Sequence, residues 1–300
     1  MRFTLRQLEV FAAVAHAGSA TAAGEQVALS QSAVSAAIAE LERVVSTALF
    51  DRVGKRLVLN DEGRRLLPHA LRLLDAARGI EQDLACTAAA GGLLRVGASR
   101  TIGSYVLPSL LAGWLRAGRW RVDVRVANTR EIVQAVSDFE VDVGLIEGTC
   151  HEPALIATPW LDDALVVVAS PHDPIAARRR AQRVPLSALR EARWLLREPG
   201  SGTRDAVAQQ LLAHLDGTAD TLTIDDTEAI KQCVAAGAGI SCLSRWAVAD
   251  LLESGRLVAL DTELQPVSRR FQIVRQPDKR PSRTMAAFLA HLGLPIGSRQ

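Results

Sequence analysis

The sequence has few of the residues that mark disulfide frameworks or metal centres. Its four cysteines, at positions 86, 150, 233 and 242, are scattered, with none at the close spacing of zinc or redox pairs. We expect reduced thiols, because disulfides follow the redox state of the compartment. The six histidines show no H-x-x-x-H spacing. The sequence therefore predicts neither a metal site nor a bound cofactor.

Long apolar runs and a strong charge imbalance are missing as well. No stretch approaches the ~20 apolar residues that span a bilayer. Near the start, Leu5, Leu8 and Phe11 recur at helical spacing, as on an amphipathic helix. We expect a soluble, cytoplasmic protein with no membrane partner. The net charge of +2 does not indicate a general polyanion binder, whereas 48% hydrophobic residues in 300 allow two domains with real cores.

Enzyme motifs fail on their spacing. "EPGSGT" is not the G-x-S-x-G elbow of a nucleophilic serine, because only one glycine precedes the serine and the next follows at once. "AAGAGIS" lacks the three-glycine fingerprint of dinucleotide binding and its acidic partner about 20 positions later. We expect no enzymatic activity.

The first 60 residues show helical patterns and then a short hairpin. "LRQLEVFAAVAHAGS" predicts a helix that Gly18 ends, and Ser19 or Thr21 caps the next helix, "TAAGEQVA". A two-residue turn, Leu29 and Ser30, leads into a third helix. The apolar residues that this helix would bury recur at steps of four, three and four: Val34, Ile38, Leu41 and Val45. "ALFDRVG" and "KRLVLN" predict two short strands that form a wing-like hairpin.

Two short helices joined by a tight turn favour a helix-turn-helix, whose second helix enters the major groove by its N-terminal end. That end carries hydroxyl and amide groups suited to base edges and phosphates: Ser30, Gln31, Ser32 and Ser35. The hairpin offers cations for backbone phosphates: Arg52, Lys55 and Arg56. An ordinary capped helical hairpin explains the same pattern. Charge does not decide between them, because residues 1–60 hold six basic and five acidic side chains, net +1.

A long helix is predicted over residues 61–85, capped by Asn60. Its apolar residues fall at alternating steps of four and three: Leu66, Ala70, Leu73, Ala77, Ile80 and Leu84. A core helix is one interpretation. The seam is narrow and flanked by charges, however, which favours pairing with a second helix and hence dimerisation. "CTAAAGG", residues 86–92, is the predicted hinge.

Residues 93–295 alternate nine strand-like runs with helical segments, which predicts parallel sheets in two α/β lobes. Ligands of such sheets bind at the carboxyl ends of strands. "GASRTIG" and "REPGSGTR" each place hydroxyls and free N–H groups at a helix start, a combination suited to a small anion. Simple capping is the alternative. The candidate residues are Ser99, Arg100, Thr101, Ser201, Gly202 and Thr203.

The stretch "LRQLEVFAAVAHAGSATAAGEQVALSQSAVSAAIAELERVVSTALFDRVGKRLVLNDEGRRLLP" closely resembles the amino-terminal region of LysR-type transcriptional regulators. "GASRTIGSYVLPSLL", "DVGLIEG" and "REPGSGTR" extend the resemblance over the chain. It implies a winged helix-turn-helix in residues 1–60, a dimerising linker helix in 61–85, and a two-lobed effector domain similar to periplasmic binding proteins in 93–295. It also implies that Asn128 and Thr129 lie in the effector cleft.

The resemblance implies a sequence-specific regulator whose hold on DNA responds to a small co-inducer, for which we expect a carboxylate or an inorganic oxyanion. Such regulators are dimers of dimers that bind interrupted promoter palindromes, and RNA polymerase is a further candidate partner. The family often has a basic residue where this chain has Ala36, which removes one DNA contact. The alternative is that the last 200 residues act as a solute-binding protein of a transport system; the in-frame DNA-binding segment argues against it.

Overall fold

The computed structural model describes residues 2–54, 56–85, 92–118, 120–178, 183–215, 217–218, 220–279 and 281–294. They belong to two compact units, residues 1–88 and 89–300. Lys55 at the hairpin tip and most of the predicted hinge, residues 86–91, lie outside the described residues. Cys150, Cys233 and Cys242 are free thiols, as expected, and Cys86 is not among the described residues. In the described ranges, no helix is both long and apolar enough for a membrane span.

The first unit has the predicted three helices, hairpin and long helix. Its elements are α1 Leu5–Ala17, α2 Ala20–Val27, α3 Gln31–Val45, β1 Phe50–Val53, β2 Arg56–Leu59 and α4 Asp61–Ala85. Gly18 ends α1 with a left-handed φ of 67°. Ser19, and not Thr21, caps α2, because the Ser19 hydroxyl accepts a 3.2 Å hydrogen bond from the Ala22 amide. Asn60 caps α4 through the Gly63 amide at 2.9 Å, as predicted.

A tight turn joins α2 to α3 and depends on Gly24. The Leu29 amide donates to the Gly24 carbonyl at 2.9 Å, and a Cβ on Gly24 would lie 2.5 Å from the Leu29 carbonyl oxygen. Only glycine therefore lets the chain turn this closely. The buried residues of α3 are Val34, Ile38 and Leu41, as predicted. Val45, the last residue of the helix, was also predicted to be buried but is only half-buried.

The described residues of the second unit form a strand at each of the nine predicted runs, but β6 begins at Ile156, eight residues before the predicted run "ALVVVAS". Its first half comprises β3 Leu93–Ser99, a π-helical turn Ile102–Val106, α5 Leu107–Arg116, β4 Arg121–Ala127, α6 Thr129–Ser137, β5 Val143–Glu147 and β6 Ile156–Ala169. Its second half comprises α7 Pro174–Arg178, α8 Leu186–Glu191, β7 Arg193–Leu196, α9 Gly202–Gln210, a 3-10 turn Leu212–His214, β8 Asp220–Thr223, α10 Thr227–Ala235, β9 Ser241–Ser244, α11 Arg245–Glu253, β10 Val258–Leu260, β11 Val267–Arg275 and α12 Arg283–His291.

The prediction of parallel sheets is wrong for much of this unit. β3 runs parallel to β4 and β5, and β7 runs parallel to β8. β6 and β11 are antiparallel to each other, and their pairings with β5, β9 and β10 are also antiparallel. The main sheet has the order β10-β6-β11-β5-β3-β4, with β9 also paired to β6. The alternation of strands and helices along the sequence does not show whether β6 and β11 run parallel or antiparallel to their neighbours.

Among the described residues, the second unit has four hydrophobic clusters, two in each of its two lobes. The first lobe packs β3, β5 and α12 around residues such as Leu94, Phe271 and Phe288. The second lobe packs β7, β9 and α9 around residues such as Trp194 and Val207. β6 and β11 serve both lobes, and the register of their pairing shifts between Arg270 and Gln272. Polar residues of β6 and β11 near this register shift therefore lie between the two lobes.

Candidate DNA-binding surface and effector site

The polar residues at the start of α3 form one exposed surface. Ser30 is the N-cap, and its hydroxyl accepts from the Ala33 amide at 3.2 Å and lies 3.0 Å from the Ser32 hydroxyl. The Gln31 amide donates to the half-buried Ser35 hydroxyl at 3.0 Å. Ser30, Gln31 and Ser32 are exposed. The structure thus brings the four predicted residues together on the helix end that a helix-turn-helix presents to DNA.

The β1–β2 hairpin carries the cationic side chains of Arg52 and Arg56. Arg52 pairs in register with Leu57, and Arg56 pairs with Val53. Both arginines are exposed, and within the described residues neither has an ion-pair partner. An unpaired guanidinium on an exposed hairpin is suited to a phosphate contact, which fixes position without reading sequence.

In the second unit, several predicted effector residues converge on the protein's own Glu147, the last residue of β5. The Thr101 amide donates to Glu147 Oε1 at 2.7 Å, and the Thr203 hydroxyl donates to Oε2 at 2.9 Å. The Thr129 hydroxyl donates to the Glu147 carbonyl oxygen at 3.2 Å. The three threonines lie at the starts of three helical segments. Two groups predicted to bind an external anion, Thr101 and Thr203, therefore bind a carboxylate of the chain itself, and Thr129 binds the backbone of the same residue.

Gly202 allows α9 to begin directly against β5. A Cβ at this position would lie 2.0 Å from the Glu147 carbonyl oxygen and 2.8 Å from the Glu147 Cβ. Both distances are far shorter than any van der Waals contact. The glycine therefore brings the Thr203 hydroxyl, one residue later, within hydrogen-bond distance of the carboxylate.

A buried ion network links Glu147 to the second lobe through Arg269 of β11. Arg269 Nη1 lies 2.6 Å from Glu147 Oε2, and Arg269 Nε donates to Asp163 Oδ2 at 2.8 Å. The Ser244 hydroxyl donates to Asp163 Oδ1 at 2.6 Å. All four side chains are buried. Buried charges need such partners, because an unpaired charge in this environment is very costly.

The two carboxyl groups respond differently to burial. For Glu147, burial by itself raises the pKa, but Arg269 and the Thr101 amide lower it more, so the net pKa is below its usual value. For Asp163, burial dominates, and its pKa is raised despite Arg269 and the Ser244 hydroxyl. The arrangement therefore holds Glu147 as an anion at neutral pH.

Four other predicted effector residues lie around this network with less direct roles. Ser99 Oγ is buried close enough to Glu147 to lower its pKa, but among the described residues it makes no hydrogen bond of good geometry. Arg100 has a buried Nε without a partner among the described residues. Ser201 is buried and gives α9 no capping hydrogen bond. The Asn128 side chain caps α6 by accepting from the Glu131 amide at 3.0 Å. No described contact joins Asn128 to Glu147.

A cleft of about 190 Å³ adjoins the network. Its lining includes both partners of the ion pair together with groups from each lobe: Thr129, Glu147, His151, Gly202, Arg269 and Arg270. Both side chains of the ion pair are at most 3% exposed, so a small polar molecule in this cleft would lie beside the Glu147–Arg269 pair.

Glu147, Arg269 and Asp163 are not among the site residues predicted from the sequence. One signal was available: Glu147 ends the otherwise wholly apolar run "VGLIE", whose five residues are all buried. An ionisable residue in such a strand needs a buried partner of opposite charge. Arg269 lies more than one hundred residues further along the chain, and no local pattern marks it as that partner.

The helix-turn-helix with its exposed polar helix start, joined in one chain to a two-lobed α/β unit with a polar cleft, defines a DNA-binding transcription regulator. Two family models match the chain: "Bacterial regulatory helix-turn-helix protein, lysR family" over residues 5–64 and "LysR substrate binding domain" over residues 87–293. The chain belongs to the LysR family of transcriptional regulators.

Individual proteins agree with this assignment. The HTH-type transcriptional regulator YeiE of Escherichia coli K12 is 44% identical over 290 residues, covering 96% of this chain and 97% of YeiE. The structure of a full-length OxyR variant from Pseudomonas aeruginosa has the same fold, with a TM-score of 0.70 over 98% of this chain and 96% of OxyR, at 22% identity. The CcmR regulatory domain of Synechocystis PCC6803 in complex with 2-PG is 31% identical, with a TM-score of 0.60 over 67% of this chain and 95% of that domain.

Proposed function

We propose that the protein binds a promoter palindrome through the start of α3 and the β1–β2 hairpin, and that a small anion in the cleft beside Glu147 modulates this binding. The observation that carries the proposal is the exposed cluster Ser30, Gln31 and Ser32, because its hydroxyl and amide groups stand at the end of α3 without being needed in the core. Arg52 and Arg56, with Lys55, would hold the phosphate backbone.

The long helix α4 supports a homo-oligomer. Leu73 and Ile80, two members of the predicted seam, are 48% and 62% exposed, whereas Ala70 is buried within its own unit. Large exposed apolar side chains at heptad spacing are suited to a second helix. Residues 61–85 would thus pair two subunits, set the distance between two DNA-binding units of residues 1–60, and allow a dimer of dimers.

The effector assignment rests on the cleft in residues 93–295. Donors from both lobes meet at Glu147, and the cleft beside them has room for a small molecule. The complex of the similar CcmR domain with 2-PG supports a small-molecule effector. A carboxylate or an inorganic oxyanion fits the hydroxyl, amide and guanidinium donors of the site.

Fluorescence anisotropy tests both parts of the proposal. The protein is titrated onto labelled DNA from its own upstream region, in the presence of excess bulk competitor, with formate, acetate, phosphate or sulfate at constant ionic strength. We expect preferential binding to the upstream DNA and a change in affinity with at least one anion. Equal binding to upstream and bulk DNA would contradict the DNA-binding part, and affinities indifferent to every anion would contradict the effector part.

Replacing Gln31 with alanine is expected to cost about 1–3 kcal/mol of discrimination between the target and random DNA, because a glutamine amide can read a base edge. The Gln31 side chain is exposed, and its hydrogen bond among the described residues goes to Ser35, so the fold should be unaffected. Paired titrations on specific and random DNA measure the effect, with the exposed Gln265→Ala as control. Equal losses on both DNAs would instead make Gln31 a phosphate contact.

Replacing Arg52 with alanine is expected to weaken binding to every sequence and to reduce the slope of log K against log salt by about 1, because one phosphate contact is lost. The salt dependence of binding is measured between low and moderate ionic strength. Arg43→Ala is a matched control, because Arg43 is exposed but already pairs with Glu40 on α3. An unchanged salt slope for Arg52→Ala would remove Arg52 from the interface.

A further inference from the structure

We propose that Glu147 is an internal competitor of the effector: its carboxylate occupies the anion-binding position of the cleft, and the effector is a small oxyanion that displaces it. The inference rests on the proposed function in taking this cleft as the effector site. It adds the identity of the group that holds the site when the effector is absent.

The contacts of Glu147 are those of a bound anion. One carboxylate oxygen accepts from the Thr101 amide at 2.7 Å, and the other accepts from the Thr203 hydroxyl at 2.9 Å and lies 2.6 Å from Arg269 Nη1. The side chain is only 2% exposed. Backbone N–H groups at helix starts together with a guanidinium form a general oxyanion site. Here that site is filled by the chain itself, and a further buried hydroxyl, Ser99 Oγ, has no well-formed hydrogen bond beside it.

The charge around Arg269 excludes an anion that binds to this guanidinium while Glu147 stays in place. Arg269 already faces two carboxylates, Glu147 and Asp163. Arg197, another buried cation, donates from Nε and Nη2 to the carboxylate of Glu198. A third anion beside Arg269 would be repelled by two buried carboxylates at short range. An oxyanion can therefore use these donors only if the Glu147 carboxylate leaves them.

The donors remain arranged for a replacement anion after Glu147 leaves. Asp163 holds Arg269 through Nε at 2.8 Å, and Ser244 in turn holds Asp163 at 2.6 Å, so the guanidinium keeps its orientation. The site then offers the Thr101 amide, the Thr203 hydroxyl and Arg269 Nη1. These donors match two oxygens on one central atom, as in a carboxylate, phosphate or sulfate. The adjoining cleft, which Glu147 also lines, can accommodate the displaced side chain among polar groups.

Competition between the Glu147 carboxylate and the effector determines the effector concentration to which the protein responds. The apparent dissociation constant of the effector equals its intrinsic constant divided by the fraction of molecules whose site is free. Because Glu147 is held by several strong donors, that fraction is small, and the wild type should respond only to high effector concentrations. Removing the carboxylate should make the same donors bind anions more tightly.

The test is anion binding to Glu147→Ala and Glu147→Gln in the full chain, measured by thermal shift and calorimetry with formate, acetate, phosphate and sulfate as probes. We expect at least one of these anions to bind Glu147→Ala about tenfold more tightly than wild type, a coupling within the usual range. The same anion should raise the melting temperature of the variant more than that of wild type. Glu253→Ala, at an exposed position on α11, should behave like wild type.

Adding Thr203→Val to Glu147→Ala should abolish the gain in anion affinity, because it removes a donor of the proposed site with little change in volume. Glu147→Gln retains the side-chain volume and gives the same comparison if the alanine variant does not fold. Equal anion affinity in wild type and both Glu147 variants, or no anion binding to either variant, would overturn the proposal. Wild-type binding to upstream DNA without added anion is measured separately, so failure of the DNA-binding function remains distinguishable.

Discussion

Replacing Arg269 with methionine is expected to destabilise the second unit by about 3–5 kcal/mol at neutral pH, because removing one partner of a buried ion network leaves the others uncompensated. Arg269 is the shared partner of Glu147 and Asp163, and all three side chains are at most 3% exposed. Methionine keeps most of the arginine's apolar volume, so the loss reports mainly on charge and hydrogen bonding.

The destabilisation should depend on pH with a defined sign. In the wild type, the lowered pKa of Glu147 contributes stability that is present above the unfolded-state pKa and lost as the pH falls through the folded-state pKa. The raised pKa of Asp163 acts in the opposite direction. Without Arg269, burial raises the pKa of both carboxyls, and the folded variant takes up protons as the pH falls. The difference in unfolding free energy between the wild type and Arg269→Met should therefore become smaller as the pH falls towards about 4.3, the pKa of a glutamate in the unfolded chain.

Urea denaturation followed by tryptophan fluorescence measures this effect, because all five tryptophans lie in the second unit. The matched control is Arg270→Met. Arg270 is the next residue, but it pairs with Asp162 at an exposed site, 59% and 74% accessible, where an ion pair adds little. Equal stability of the two variants would show that the buried network does not stabilise the second unit. The same conclusion would follow if the loss of unfolding free energy in Arg269→Met were equal at neutral and acidic pH.

Replacing Gly202 with alanine is expected to destabilise the second unit by about 3 kcal/mol, at the upper end for overpacking. The new Cβ would lie 2.0 Å from the Glu147 carbonyl oxygen, so the start of α9 must move away from β5. That movement would also take the Thr203 hydroxyl from the Glu147 carboxylate, 2.9 Å away in the wild type. We expect both the stability and the response to anions to be lost.

Gly113→Ala is the control for Gly202→Ala. Gly113 lies inside α5, where the nearest atom to an added Cβ is His291 Cε1 at an ordinary 3.6 Å. Alanine in a helix interior is favoured over glycine by up to about 1 kcal/mol, so this variant should be as stable as the wild type or slightly more stable. A Gly202→Ala protein with wild-type stability would show that the contact between α9 and β5 is not required.

The sequence predicted elements that local chemistry determines and missed those that distant contacts determine. Gly18, Ser30 and Asn60 end or cap helices through neighbours a few residues away, so the helix-turn-helix and the start of α4 could be read directly. The antiparallel course of β6 and β11 could not, because strand direction depends on partners about one hundred residues apart.

The candidate effector site shows the same division. Thr101 and Thr203 were identified by their hydroxyls at helix starts, a local pattern. Their common partner is Glu147, and no local pattern could indicate this pairing. Thr101 and Thr203 lie 46 and 56 residues from Glu147 in the sequence, and Arg269 lies 122 residues from it. Helix-start patterns therefore indicated an anion, but only the fold identified the anion as part of the chain.

The central claim is that the α3 unit reads duplex DNA as one half of a symmetric pair, and nuclease footprinting of the full-length protein on its own upstream region tests it most directly. We expect two protected half-sites on one face of the duplex, with their centres separated by about one helical turn of 10–10.5 base pairs or a multiple of it. Gln31→Ala should weaken both half-sites together. Protection no stronger than on bulk DNA, or a single protected half-site with no symmetric partner, would show that the protein does not read DNA as a symmetric pair.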